Sequence, residues 1–399
     1  MNLFKKKHIY LLMHKEIPVF RAEYSFHTHE FLTVTKLLHP EHLPFSLYTG
    51  DKLSMKRLNT WWKWRGIPSY RVGLPQLQSR LGIHDPLELL EREHALSVSD
   101  TYWLKEEKED CSFEDINFFD HSFDEYGFGM AMFSQMYTSA PSSARHTPNN
   151  VTCGYHRKAW FHRSDNLYLL KGGTPFYQQE PIQEWLAYQI ALQLGFKNVT
   201  PYATEIYENN IVSVCPAFTN KDVDLLTTGM VIDGIRPPKE EFHLPYYIKA
   251  LEEHGISDAR ANLEHMLLLD YLMMNSDRHN QNLGILVDAN TNQWLSCAPV
   301  FDTGTGLGCL EKDEDVLPSL EYENCKLLNA RNFNHDALLD YINLKNYDFT
   351  NLEKLPQIYA NKLVQYQPIS NITNRRIEAA YTVFYKRILR LKKYASQNQ

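Results

Sequence analysis

The stretch Asp277-Arg278-His279-Asn280-Gln281-Asn282 sets a carboxylate and a carboxamide five residues apart, and a second carboxylate follows in Val300-Phe301-Asp302-Thr303-Gly304. Side chains of these types in this order suit phosphoryl transfer. Asp277 is placed to orient or deprotonate an attacking hydroxyl. Asn282 and Asp302 supply oxygens for a magnesium ion that bridges nucleotide phosphates. Taken alone, Asp277-x4-Asn282 is a weak signal, because an Asn/Asp-rich turn after a helix reads the same way. The order of the upstream residues adds weight. Lys171 closes the apolar run Leu167-Tyr168-Leu169-Leu170, where a lysine reaches α- and β-phosphates and needs a carboxylate to hold it. Glu184 is the expected partner on the helix that follows, with Glu180 second. Lysine, helix glutamate, Asp, Asn, Asp is the order that an ATP-dependent kinase requires. Gly304 and Gly306 are read as room for Asp302 to approach phosphate.

Three neighbouring features follow from that frame. His279 reads either as a second acid/base or phosphate contact, or as a histidine bracing the loop; the bracing role is preferred. Arg278 is read as pairing with a carboxylate inside its own domain. The segment covering the ATP phosphates is expected at Val151-Thr152-Cys153-Gly154-Tyr155-His156-Arg157-Lys158. Thr152, Gly154 and Lys158 are its candidate phosphate contacts, through backbone amides and basic charge. The connector Cys215-Pro216-Ala217-Phe218 lies where adenine would meet backbone, which places Cys215 and Phe218 at the nucleotide.

The elements that must position these residues fall into three sections. Residues 1–140 form an accessory module with strands over Ile9–Met13, Pro18–Arg21 and Thr33–Leu38 and a Trp61-Trp62-Lys63-Trp64 helix whose aromatics are assigned to packing. A polar, proline-marked linker spans 140–150. Residues 146–220 form a strand-rich section: strands over Lys158–His162 and Leu167–Lys171, a helix over Ile182–Leu194 stopped by Gly195, then strands over Pro201–Tyr207 and Ile211–Phe218. Residues 221–399 are expected to be mainly helical, with Leu263–Met274 a buried core helix and the basic C-terminal helix presenting a solvated face. The predicted class is α+β: a small strand-rich lobe and a larger helical lobe in the manner of a protein kinase, behind an N-terminal module.

Composition excludes several alternatives. The chain has 399 residues, is 43% hydrophobic and carries a net charge of −7, enough for two or three cores but no general affinity for nucleic acid or anionic membrane. The apolar run after Lys5-Lys6-Lys7 covers only Ile9–Met13, too short for an export signal, and no run reaches a membrane span. Six scattered cysteines without a Cys-x-x-Cys pair read as reduced thiols, and a cytoplasmic location is expected.

Asn275-Ser276-Asp277-Arg278-His279-x-x-Asn282 and Phe301-Asp302-x-Gly304, after Tyr168-Leu169-Leu170-Lys171, resemble the HipA-like bacterial serine/threonine kinases. The catalytic run also looks like that of phosphatidylinositol 3- and 4-kinases. The HipA-like resemblance implies Asp277 as catalytic base, Asn282 and Asp302 as magnesium ligands and Lys171 as the ATP lysine. It implies ATP and Mg2+ as cofactors, a protein substrate and a small DNA-binding antitoxin as partner. It further implies self-phosphorylation of the phosphate-covering loop, with Thr152 the first candidate and Thr147 the second. A pseudokinase regulatory module and a lipid kinase are the alternative readings.

Overall fold

The computed structural model of the chain describes residues 8–397 except 48–52, 72–73, 124–132, 134–145, 153, 165, 323 and 329. Most of the expected linker, and Cys153, lie outside the described residues. The strands are β1 (His8–His14), β2 (Ile17–Ser25), β3 (Glu30–Leu37), β4 (Tyr102–Glu106), β5 (Lys158–Arg163), β6 (Asn166–Gly172), β7 (Ala203–Tyr207), β8 (Asn210–Pro216), β9 (Val223–Thr227), β10 (Gly284–Asp288), β11 (Trp294–Cys297), β12 (Asn324–Leu327) and β13 (Ala330–Asn334). The chain forms two compact units: Met1–Tyr168 with Thr219–Arg236 and Ile285–Leu295, and Leu169–Phe218 with Pro237–Gly284 and Ser296–Gln399.

The first unit is organised by the antiparallel sheet β3-β2-β1-β4. Alternation in β2 buries Phe20, Ala22 and Tyr24 on one face. Against them lies the helix Met55–Trp64, opened by the Ser54 side chain accepting from the Arg57 amide. Trp62 is fully buried, its indole N–H donating to the Tyr24 hydroxyl at 3.0 Å, and Trp61 is buried too. These tryptophans pack, as expected; Trp64, by contrast, is 60% exposed. The segment before β5 is tied down by buried charge. Glu93 accepts from the Thr147 amide at 3.1 Å and the Asn150 side chain at 2.5 Å. Arg71 donates to the Thr152 carbonyl and, at 3.1 Å, to that of Lys158.

In the second unit β6, β8 and β7 are neighbours in that order. The β7–β8 hairpin turns through Glu208 and Asn209, both at positive φ (47° and 59°), the backbone of a two-residue turn that matches strand twist. Behind the strands runs the helix Glu180–Gln193, and Gly195 at φ 74° ends it. The helix Ala259–Met273 is buried along its second half, from Met266 to Met273.

Two expectations need qualification. The chain beyond 222 carries far more helix than strand, but five unanticipated strands, β9 to β13, also lie there. These strands are short and set off by side-chain-capped turns such as Asp288 Oδ1 accepting from the Asn290 and Thr291 amides at 2.9 Å, which window-scale periodicity does not resolve. Second, the C-terminal helix Asn374–Gln397 does not merely present its cations to solvent. Arg375, Lys386 and Lys393 are exposed, but Arg376 and Arg387 are buried.

Arg376 accordingly reads as a fastener of the second unit. It donates to Gln179 Oε1 at 2.7 Å and to the carbonyls of Glu311, Gly308 and Cys309 at 2.8, 3.1 and 2.6 Å. Its guanidinium also stacks 3.6 Å from the Tyr177 ring centroid. Arg376→Leu is expected to strand those acceptors and destabilise the protein by about 3 kcal/mol. Urea unfolding measures this, and an unchanged midpoint would show that the network is dispensable.

Candidate active site

The residue that organises the site is Lys171, in β6 and 5% exposed. Its ammonium pairs with Glu184 Oε1 at 2.5 Å and with Asp302 Oδ1. Burial alone would lower the lysine, but the charges of Asp302 and Glu184 outweigh it and hold the ammonium above its ordinary value. Glu184 is fully buried on the Glu180–Gln193 helix, and burial pushes its carboxyl up against the pull of Lys171. Its second oxygen accepts from the Ser213 hydroxyl in β8. Glu184 rather than Glu180 is therefore the lysine's partner. Glu180 instead turns toward the loop after β6, accepting from the Thr174 amide at 3.0 Å.

Asp302 sits at φ 55°, a left-handed backbone uncommon for a side chain other than glycine and frequent at functional sites. Its amide donates to the buried Tyr202 hydroxyl at 3.2 Å, and burial together with the Glu184 charge raises that phenol so that it stays protonated. No regular strand ends at Asp302. β11 stops at Cys297, and Val300 forms only an isolated parallel bridge to Val199. The glycines after Asp302 serve packing. A Cβ on Gly306 would lie 2.2 Å from the Met273 carbonyl, and one on Gly304 3.1 Å from that of Glu180.

The Asp277–Asn282 loop begins where the Ala259–Met273 helix ends, at Met274 in the left-handed region (φ 50°). Arg278 does pair inside its own unit. Nε and Nη2 grip Asp270 at 2.8 and 2.9 Å, while Nη1 reaches the Asn282 carbonyl and, at 2.8 Å, that of Phe301. One buried guanidinium thus ties the Asp277–Asn282 loop to the residue preceding Asp302. Asn275 extends the bracing, donating to Asp270 Oδ1 at 2.8 Å and accepting from the Asp277 amide at 3.1 Å. Asp277 keeps a partly exposed carboxylate, with Lys326 Nζ at 3.4 Å and His279 Nε2 at 3.8 Å. The other His279 ring nitrogen accepts from the Gln281 amide at 3.2 Å, so this side chain braces the loop while standing beside Asp277.

The donor set fits magnesium. Asn282 spends its Nδ2 on the Asp277 carbonyl at 2.9 Å, so its Oδ1 is the atom that would serve a cation, and Asp302 would add a carboxylate. An amide oxygen with one carboxylate is what a hard cation completed by phosphates and water takes. Among the described residues no group of three His, Cys, Asp or Glu side chains forms a self-sufficient metal cage.

The remaining expected contacts are more dispersed. Cys215 is buried near the end of β8, and the Phe218 ring lies 5.4 Å from that of Phe301. Thr152, Gly154 and Lys158 belong to the first unit. There Gly154 adopts φ 107°, open only to glycine, and its missing side chain makes room for Lys158 Nζ. Thr152 donates its hydroxyl to the Pro148 carbonyl at 2.8 Å, and Thr147 is 1% exposed.

Comparison with known proteins bears on the fold and on part of the sequence. No family model matches the chain. Serine/threonine-protein kinase CtkA of Helicobacter pylori is 30% identical over 165 residues, 40% of this chain and 49% of that protein, so the chain spans about half the length of this curated relative. HipA of Shewanella oneidensis MR-1, solved in a complex of the toxin–antitoxin system HipA, HipB and operator DNA, matches 97% of this chain and 98% of its own at TM-score 0.59 and 10% identity. The fold is that of HipA. A crystal structure of the H. pylori proinflammatory kinase CtkA covers 61% of this chain and 92% of its own, with 21% identity and TM-score 0.44. The HipA-like kinases are thus what the chain resembles: CtkA in sequence, HipA in mixed α and β architecture.

Sequence reasoning missed Ser213, Tyr202 and Asp270, and gave no role to Asn275 although it stood in the quoted motif. Asp270 alone left a usable signal, a lone charge in the apolar run Met266-Leu267-Leu268-Leu269-Asp270-Tyr271-Leu272. An acid there must be paired, and Arg278 was at hand. Asp270→Asn is expected to cost about 3–5 kcal/mol by leaving the Arg278 charge buried without its counterion. Pairing it with Arg278→Met should recover part of the loss in chemical denaturation. A single variant as stable as the parent would dismiss the pair as the loop's brace.

Proposed function

We propose that this chain is an ATP- and Mg2+-dependent serine/threonine protein kinase of HipA-like type. The observation that carries the reading is the joining of Lys171 to Glu184 and Asp302 across 131 residues of sequence, in a unit that also braces the Asp277–Asn282 loop. The name of the H. pylori relative supports the same activity. In this reading residues 146–220 act as the nucleotide lobe and 221–399 as the helical lobe, with 1–140 an accessory module.

Each residue then has a physical task. The Lys171 ammonium, kept charged by its two carboxylates, neutralises α- and β-phosphate oxygens. Thr152, Gly154 and Lys158 cover the phosphates, and Cys215 and Phe218 flank adenine. Asn282 Oδ1 and Asp302 hold magnesium, which when bound offsets charge on the β- and γ-phosphates. Asp277 accepts the proton of a substrate serine or threonine hydroxyl as its oxygen attacks the γ-phosphorus and the bond to the β-phosphate oxygen breaks. Within the loop before β5, the burial of Thr147 favours Thr152 as the site of self-phosphorylation. The HipA neighbour was solved with HipB and operator DNA, which motivates a small DNA-binding antitoxin as partner.

Asp302→Asn tests the core of the proposal. The isosteric amide removes a magnesium-binding charge, and transfer of label from γ-labelled ATP to a serine/threonine acceptor is expected to fall on the order of a hundredfold or more, about 3 kcal/mol of transition-state stabilisation. Circular dichroism should remain that of the parent. Full turnover in a folded Asp302→Asn protein would remove Asp302 from the site.

A further inference from the structure

Lys326 Nζ lies 3.4 Å from Asp277 Oδ1, on a side chain that is 64% exposed. Backbone structure within the second unit sets its position. Alternation in β12 turns Cys325 and Leu327 inward and leaves Asn324 and Lys326 outward. The Lys326 amide donates to the Ser276 carbonyl at 3.3 Å, and Leu327 forms a parallel bridge with Arg278. Ser276 in turn donates its amide to the Thr305 carbonyl at 3.1 Å, so its backbone is held from both sides. Just past β13, His335 Nε2 donates to the Asn275 carbonyl at 3.1 Å. The β12–β13 hairpin is thus clamped at both ends to residues 275–278 and presents Lys326 to the Asp277 carboxylate.

The charge in flight needs a cation that the residues assigned so far do not supply. In phosphoryl transfer, negative charge spreads over the three equatorial oxygens of the moving group. Lys171 is directed to the α- and β-phosphates, and its ammonium is held by Glu184 and Asp302. Arg278 is 1% exposed, and its guanidinium is engaged by Asp270 and by the carbonyls of Asn282 and Phe301. Lys326 is exposed and already at the carboxylate where the acceptor hydroxyl must arrive. An exposed ion pair of this kind adds little to stability and opens at little cost, which leaves the ammonium ready for a stronger anion.

We propose that Lys326 is a further catalytic residue, whose ammonium leaves Asp277 for the oxygens of the γ-phosphoryl group as that group moves to the acceptor. The inference rests on the kinase reading above. The acceptor oxygen bonds to the γ-phosphorus and its proton passes to Asp277. The bond from the γ-phosphorus to the bridging oxygen breaks, and its electron pair stays on ADP. Lys326 forms no covalent bond; it neutralises the phosphoryl oxygens during the passage. Because Lys326 approaches from the Asp277 side, its contact strengthens as the phosphoryl group nears the acceptor. The benefit therefore falls on kcat rather than on the affinity for ATP.

The test compares the full-length parent with Lys326→Met and Lys326→Arg, following label from γ-labelled ATP into casein and into the chain itself. For Lys326→Met, kcat is expected to fall about a hundredfold while KM for ATP stays within about threefold. Lys326→Arg keeps the charge and should restore kcat to within about tenfold of the parent. Melting temperatures of all three proteins should agree, because the side chain is exposed. An unchanged kcat in Lys326→Met, a loss confined to KM, or a loss of activity that tracks a lowered melting temperature would each overturn the role of Lys326 while leaving the kinase reading in place. A parent that labels neither casein nor itself would overturn that reading and this inference with it.

Discussion

Everything in the proposed active centre depends on one ammonium placed where water is scarce. Lys171 is buried and could not keep its charge there alone; Glu184 and Asp302 make that charge stable, and Lys171 in return makes a fully buried glutamate tolerable. The three residues come from β6, the Glu180–Gln193 helix and the irregular chain after β11, so the ion triad fixes three elements at one point. Ser213 and Tyr202 complete it by occupying the Glu184 carboxylate and the Asp302 amide. Removing Lys171 would leave Glu184 buried without its cation, a cost that lies in the interior rather than in the ligand.

A second constraint is steric. The chain after Asp302 passes so near the end of the Ala259–Met273 helix that Gly306 has no room for a Cβ, and the Leu307 amide bonds the Met273 carbonyl at 2.8 Å. That approach lets Arg278 reach both Asn282 and Phe301 with one nitrogen. The Asp277–Asn282 loop and Asp302 are thereby positioned by the same helix end and the same guanidinium, so disturbing either displaces both. Rigid support of this kind is what transfer chemistry needs, because misplaced reacting groups lose much of the benefit of proximity.

The sequence made some of this legible and hid the rest for physical reasons. Lys171, Glu184 and Asp302 were readable because each occupies a definite place in a strand, helix or loop order, and the structure joins them. Arg278 was read as pairing with an internal carboxylate, and the structure supplies Asp270 as that carboxylate. Asp270 was named only by the structure, although its charge stood in an apolar run. Ser213 and Tyr202 gave no signal, since their hydroxyls matter only through tertiary partners far away in sequence. The strands beyond 222 were hidden because four- and five-residue segments are too short for periodicity to separate from loop. The burial of Arg376 and Arg387 was hidden because an amphipathic pattern marks the apolar face but does not reveal carbonyls waiting beside it.

The measurement closest to the central claim is calorimetric titration of ATP into the full chain, with Mg2+ and with chelator, for the parent and for Lys171→Met. The account predicts that the parent binds ATP more tightly with Mg2+, and that Lys171→Met weakens binding in both conditions by removing the cation that faces the phosphates. Binding that is indifferent to Mg2+ and unchanged in a folded Lys171→Met protein would contradict it.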